Sequence, residues 1–264
     1  MRTLLVALFA LVVAPFSTVL GADMPLKAPL LAAPAEYNWS GIYAGANVGW
    51  AHNSFDWRYT NPSPATCCAP FSASQDDGIV GVHAGIQYQW AHIVIGVEAS
   101  YNSLFDGKSA TGAGCVAPNS ATLACQINIG PTGTVGGRLG YAWADWLLYG
   151  TGGWAGGSVQ TRLINPGPTP VTFDNTGATS TNGWYAGGGV EHVVFRGNWA
   201  DLIAGLEYQH LDLGTQLHNS RLDAFSACPP GVNCRNVSAT QDIVRFRLSV
   251  KINPFAPAGV IARY

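Results

Sequence analysis

Six charged residues recur on one side of candidate strands: Glu98, Arg138, Glu191, Glu207, Arg245 and Arg247. Three carboxylates and three guanidiniums can do one of two things if they share an interior. They can pair and fill it, because an isolated buried charge is costly and an opposite charge offsets that cost. Otherwise they can line a narrow gated path for small solutes. Glu207 is placed to reach Arg245 or Arg247 on the following strand, and Arg138 lies beside Glu98. The expected arrangement is an ion-pair plug, with a narrow channel as the alternative.

Other reactive side chains form weaker patterns. His83 faces the same interior without an obvious serine–acid partner, and His210 and His218 fall near the far end of their strand. A covalent catalyst needs a nucleophile, a base and an orienting acid within reach, so no catalytic residue is assigned and enzyme activity is not expected. The Gly-rich run Gly150–Gly157 is followed by a polar segment, not by the helix that a dinucleotide site requires. Six cysteines lie in polar segments. Cys115 with Cys125 and Cys228 with Cys234 are spaced to staple one loop each, while Cys67 and Cys68 have no assigned pairing. Disulfides persist outside the cytoplasm. No histidine near them completes a metal site, and no cofactor is expected.

The elements that carry the charges have a period of two. In Thr132–Gly157, Val135, Gly137, Leu139, Tyr141 and Trp143 alternate with Thr134, Gly136, Arg138, Gly140 and Ala142, as side chains of a strand must. Seven further stretches begin near Trp39, Val80, Ile93, Trp146, Trp184, Leu202 and Val244. Strand five is the least regular, with Leu148 and Trp154 on the expected inner face. Turns of two to five residues alternate with polar segments of about twenty or more. These segments, for example His52–Asp77, read as loops. Trp39, Trp50, Trp90, Tyr101, Trp143, Trp146, Trp184 and Trp199 fall at or near strand ends, as in an aromatic girdle.

Only 11% of the 264 residues are charged, and the net charge of -2 gives no reason to expect nucleic acid. Met1–Ala22 reads as a signal peptide, with one cation, an apolar core and small residues after it. No other run approaches the ~18 apolar residues of a spanning helix, so membrane residence must come from strands. A closed barrel satisfies every strand hydrogen bond in hydrocarbon. A soluble carrier of similar shape would hold apolar residues inside. Here the charges occupy one face, and each arginine turned towards lipid at mid-depth would cost roughly 2–4 kcal/mol. The expected fold is therefore all-β: an eight-stranded antiparallel up-and-down transmembrane β-barrel over 39–255. It follows a Pro/Ala-rich leader at 23–38 and precedes a tail at 256–264, in which Phe255 and Tyr264 both qualify as the terminal assembly aromatic.

The segments Trp39–Gly45, Gly136–Ala142 and Leu147–Gly153, with Gly187–Glu191 and Leu206–Tyr208, resemble the small outer-membrane barrels of alpha-proteobacteria. These are known as outer-membrane immunogenic or porin-family proteins. The resemblance spans roughly Trp39 to Phe255. It implies a Gram-negative outer-membrane location, a role in envelope integrity and surface exposure, and contact with outer-membrane lipid and lipopolysaccharide. The long loops would be open to host or surface molecules. The label "porin" does not imply conduction, and the loop cysteines depart from the family pattern. A lipid-modifying barrel enzyme or an adhesin is a less favoured reading.

Overall fold

The computed structural model describes residues 36–59, 71–107, 109–113, 124–165, 171–218 and 235–252. The expected signal peptide, most of the expected leader, the tail with Phe255 and Tyr264, and Cys67, Cys68, Cys115, Cys228 and Cys234 lie outside them. Ten strands are assigned: β1 (Gly41–Tyr59), β2 (Phe71–Trp90), β3 (Ile93–Leu104), β4 (Ala110–Ala113), β5 (Ala124–Ile129), β6 (Thr132–Trp143), β7 (Trp146–Asn165), β8 (Val171–Arg196), β9 (Asp201–His218) and β10 (Arg235–Ile252).

All ladders are antiparallel. They run β7–β6–β3–β2–β1–β10–β9–β8 and close through β8 on β7, which makes an eight-stranded ring. The other two strands are upward continuations. β5 takes over from β6 along β7, bridged by a 2.7 Å bond from the Gly130 N–H to the Ser158 carbonyl, and β4 pairs with β5. The short turns Ala91–His92 and Ala144–Asp145 share one rim with Gly197–Ala200. Ala91 and Ala144 each adopt a positive φ there, 52° and 50°.

The strands are longer than the two-residue apolar period suggested. β1 runs nine residues past Trp50, and β2 begins nine residues before Val80. The alternation continues there but its sense reverses. From Ile42 to Trp50 the apolar residues face outward. Beyond Trp50, Ala51, Phe55 and Trp57 face inward, while His52, Asp56 and Arg58 face outward. β10 reverses likewise. Val244 to Ile252 turn apolar side chains out, whereas Val237, Ala239 and Ile243 turn them in. The cause is the surrounding medium. In hydrocarbon the outer wall must be apolar, and above it, in water, the same wall must be polar and the interior becomes an ordinary core. Polar composition made these segments read as loops.

Candidate functional site: the filled lumen

The lumen is packed in three layers. At the short-turn rim, Tyr37 and Trp39 fold into the mouth and pack with Val94, Ala142, Leu147, Tyr149, Val193 and Ile203. This segment is anchored at several points. The Tyr37 hydroxyl donates to Asp201 (2.7 Å), the Trp39 N–H donates to the Gln89 side chain (2.7 Å), and Gln87 donates to the Trp39 carbonyl (2.8 Å). Lys251 Nζ donates to the Asn38 carbonyl and sits 4.3 Å from the Tyr37 ring. One expectation changes here. Trp39 is 0% exposed and belongs to this stopper instead of the girdle, because its ring meets an apolar mouth that would otherwise be hollow.

The middle layer holds the six charges, all facing inward and buried. Arg247 is the hub. It grips Glu98 with both terminal nitrogens (2.8 and 2.5 Å), reaches Glu207, and lies 3.5 Å from Glu191. Arg245 donates to Glu207 through Nη2 (2.6 Å) and Nε (3.0 Å), and to Ser100 and Asn102 (3.3 Å each). Arg138 pairs with Glu191 at 2.5 Å, while Glu98, the neighbour expected from sequence, is 3.7 Å away. Three acids and three bases balance, and hydrogen bonds to Tyr43, Tyr149, Ser100 and Asn102 add to the ion pairs, which lowers the cost of burying the charges.

Two tyrosines complete the layer and were not singled out from sequence. Tyr43 donates to Glu98 (2.7 Å) and accepts from Arg138 (3.2 Å); Tyr149 donates to Glu207 (2.5 Å) and lies under the Arg138 guanidinium, 3.6 Å from ring centre to carbon. Each leans over an inward glycine on the next strand. A Cβ at Gly85 would come within 2.5 Å of the Tyr43 hydroxyl, and one at Gly189 within 2.6 Å of that of Tyr149. The inner-face glycines were legible, and an inward tyrosine beside each was the signal that could have been used. Strand five becomes regular in this light. Leu147 and Tyr149 point in, while Leu148 and Trp154, 56% and 52% exposed, point out. The expectation that Leu148 and Trp154 face inward is corrected: the strand enters one residue out of the assumed phase, after the Ala144–Asp145 turn.

The upper layer is built round an apolar cluster that includes Phe55, Trp57, Ile79, Ile127, Leu211, Leu213 and Ile243, with Asn53, Gln241 and Thr132 buried and hydrogen-bonded to one another. Cys125 is buried here, on β5 instead of in a loop. Above the apolar band, His218 is buried, and desolvation with the nearby Arg235 guanidinium pulls it down to about 4.

The remaining histidines do not build a catalytic site among the described residues. His83 Nε2 lies 2.7 Å from Ser249 Oγ, a partner that the sequence did not reveal, but no acid meets its Nδ1. His210 pairs with Asp242 (2.8 Å) on the outer wall. Among the described residues no group of three His, Cys, Asp or Glu side chains is disposed to hold a metal. The other expected girdle residues, Trp50, Trp90, Tyr101, Trp143, Trp146, Trp184 and Trp199, are all exposed on the outside. Tyr141, Trp143 and Trp146 form a stacked row, with ring centres 6.5 Å apart at each step.

Comparison with known proteins agrees with this architecture. The family model described as the outer membrane protein beta-barrel domain matches residues 27–235. The 31 kDa outer-membrane immunogenic protein of Brucella melitensis is 28% identical over 216 residues, covering 78% of this chain and 86% of that protein. The 25 kDa outer-membrane immunogenic protein of Brucella canis is 29% identical, with coverages of 87% and 89%. A 22 kDa outer membrane protein of Rhizobium leguminosarum is 30% identical, with coverages of 55% and 57%. None of these names is that of an enzyme. The chain belongs to the outer-membrane β-barrel protein family, and its place is the outer membrane of a Gram-negative bacterium.

Proposed function

We propose that this protein is a closed, load-carrying barrel of the outer membrane, which stiffens the envelope and presents a raised wall and loops to the outside. The observation that supports this most directly is the Arg247 hub, which binds three carboxylates from three other strands. Such a layer ties the walls together, and an apolar cluster lies on either side of it. Contacts with lipopolysaccharide and with host or surface molecules would fall on the polar outer wall above the apolar band. Removal of Met1–Ala22 on export, and loop bridges Cys115–Cys125 and Cys228–Cys234, form part of the same proposal. Non-reducing peptide mass mapping of the secreted form tests those two points.

Conductance of the purified protein in planar bilayers tests the closed lumen. The expected record has no discrete openings. Stable unitary steps would favour the narrow passive pore and remove the plug.

A further inference from the structure

The outer wall above the girdle carries a hollow. On its outward face β1 sets Ser54 beside Thr240 of β10 and Ser74 of β2, and Asp56 beside Ser238 and Ser72. These six short side chains line a depression of about 320 Å³, and Phe55 and Ala73, which pack inward on the upper core, form its floor. Longer side chains bound it. In the row below, His52 holds Asp76 (2.6 Å) and stands next to Asp242; in the row above, Arg58 stands beside Asn236.

The lining has one chemical character. Its five hydroxyls both donate and accept, and its one carboxylate, Asp56, takes a bond from Ser72 (2.5 Å) while staying exposed. No lysine or arginine lines the hollow. With Asp56 in it and Asp76 and Asp242 one row below, this face disfavours a phosphate and accepts a neutral polyhydroxyl group. Each hydroxyl of such a ligand finds a donor or an acceptor, and one that donates to Asp56 makes a charge-assisted bond.

Depth narrows the source. Ser54 and Asp56 lie four and six residues beyond the exposed Trp50. At a rise of ~3.3 Å per residue and a tilt of ~40°, they stand roughly 10–15 Å above the girdle. The headgroup zone outside the hydrocarbon is only about 5–7 Å deep. The hollow therefore faces the layer beyond it, where an outer leaflet carries its lipid-borne sugars.

We propose that this hollow is a saccharide site, which holds a neutral core sugar of a neighbouring lipopolysaccharide molecule against β1, β2 and β10. It rests on the lipopolysaccharide contact proposed above and names the part of that molecule that is recognised. A conducting lumen would leave it untouched.

The test uses the folded mature chain in detergent, with bound molecules counted by native mass spectrometry. The probes are lipopolysaccharide with a neutral-sugar core, lipid A alone, and free core oligosaccharide. The core-bearing form should bind about tenfold tighter than lipid A, in high salt and in chelator alike, and the free oligosaccharide should compete weakly. Asp56→Ala removes the charged acceptor and Ser238→Trp fills the hollow. Each should lower the affinity of the core-bearing form about tenfold while heat-shifted gel mobility is retained. Equal binding of lipid A would overturn the site, as would unchanged binding in both variants. Loss of binding in chelator would overturn it by assigning the contact to a bridging divalent cation. Free oligosaccharide that binds as tightly as the lipid-borne form would overturn the lipid source and assign the hollow to a soluble glycan. Absence of binding by every probe would remove the lipopolysaccharide contact as well, whereas variants that bind normally remove the site alone.

Discussion

Arg247 on β10 and Glu98 on β3 meet at 2.5 Å although two complete strands, β1 and β2, stand between their own. The pair crosses the lumen and binds opposite walls. Sequence neighbours alone would have joined Arg138 to Glu98 and left the walls tied only through their ladders.

Arg247→Met should be the most damaging single change in the lumen. It leaves Glu98, Glu207 and Glu191 short of a shared cation, and breaking a buried pair in this way costs roughly 3–5 kcal/mol. The temperature at which the barrel loses its heat-shifted gel mobility should fall sharply. Adding Glu98→Gln should restore part of the loss, and Arg138→Met should have a smaller effect in the same direction. An unchanged opening temperature in Arg247→Met would count against the cross-lumen tie.

Removing the stopper should open one end without opening the pore. Trp39→Ala deletes the largest fully buried side chain of the lower layer, a loss of about 3–5 kcal/mol of local packing. A cysteine placed at Leu147 should then react with a maleimide in the Trp39→Ala background and stay protected in its absence. Bilayer conductance should remain silent in both, because the charged layer above is intact.

The reversal of sidedness along β1 predicts opposite tolerance on either side of Trp50. Leu139→Arg, on the outward face of the apolar band, should cost roughly 2–4 kcal/mol. Ser54→Arg, outward but above it, should be nearly neutral, whereas Phe55→Asp should be severely destabilising although it lies only one residue away. Denaturant unfolding of the three variants in the same detergent would rank them.

The upper core should loosen in acid. His218 is held neutral in the folded wall with its pKa drawn down to about 4, below the ~6.5 of an unfolded histidine. A base whose folded pKa is depressed contributes stability that is complete above the unfolded value and lost as pH falls through the folded one. Protection of upper β9 and β10 amides should therefore decline between about pH 6.5 and 4. In His218→Gln that decline should be flatter.

The membrane half of this fold is written plainly in the chain. Val135, Leu139 and Tyr141 against Thr134, Arg138 and Ala142 leave one reading open once each arginine must avoid lipid. The upper half is written in the same alphabet with the sense inverted, so Phe55 and Trp57 looked like isolated aromatics in a polar loop. The charged residues were recognisable as an inward set, and so was the reach of Glu207 to Arg245 or Arg247 on the adjoining strand, but the pairs across the lumen were not. Partners across a lumen depend on barrel radius and strand stagger, and a linear period of two contains neither. Tyr43 and Tyr149 were hidden for a related reason: each earns its meaning from a glycine on the adjoining strand.

The switch at Trp50–Ala51 also works as a depth gauge. Below it the chain is dressed for oil and above it for water, so the molecule's draught in the bilayer is fixed by its own lettering, without reference to any lipid. Lengthening a strand there by two residues would merely raise the parapet. Lengthening it by one would swap the faces of everything beyond, so growth of this wall must come in even steps.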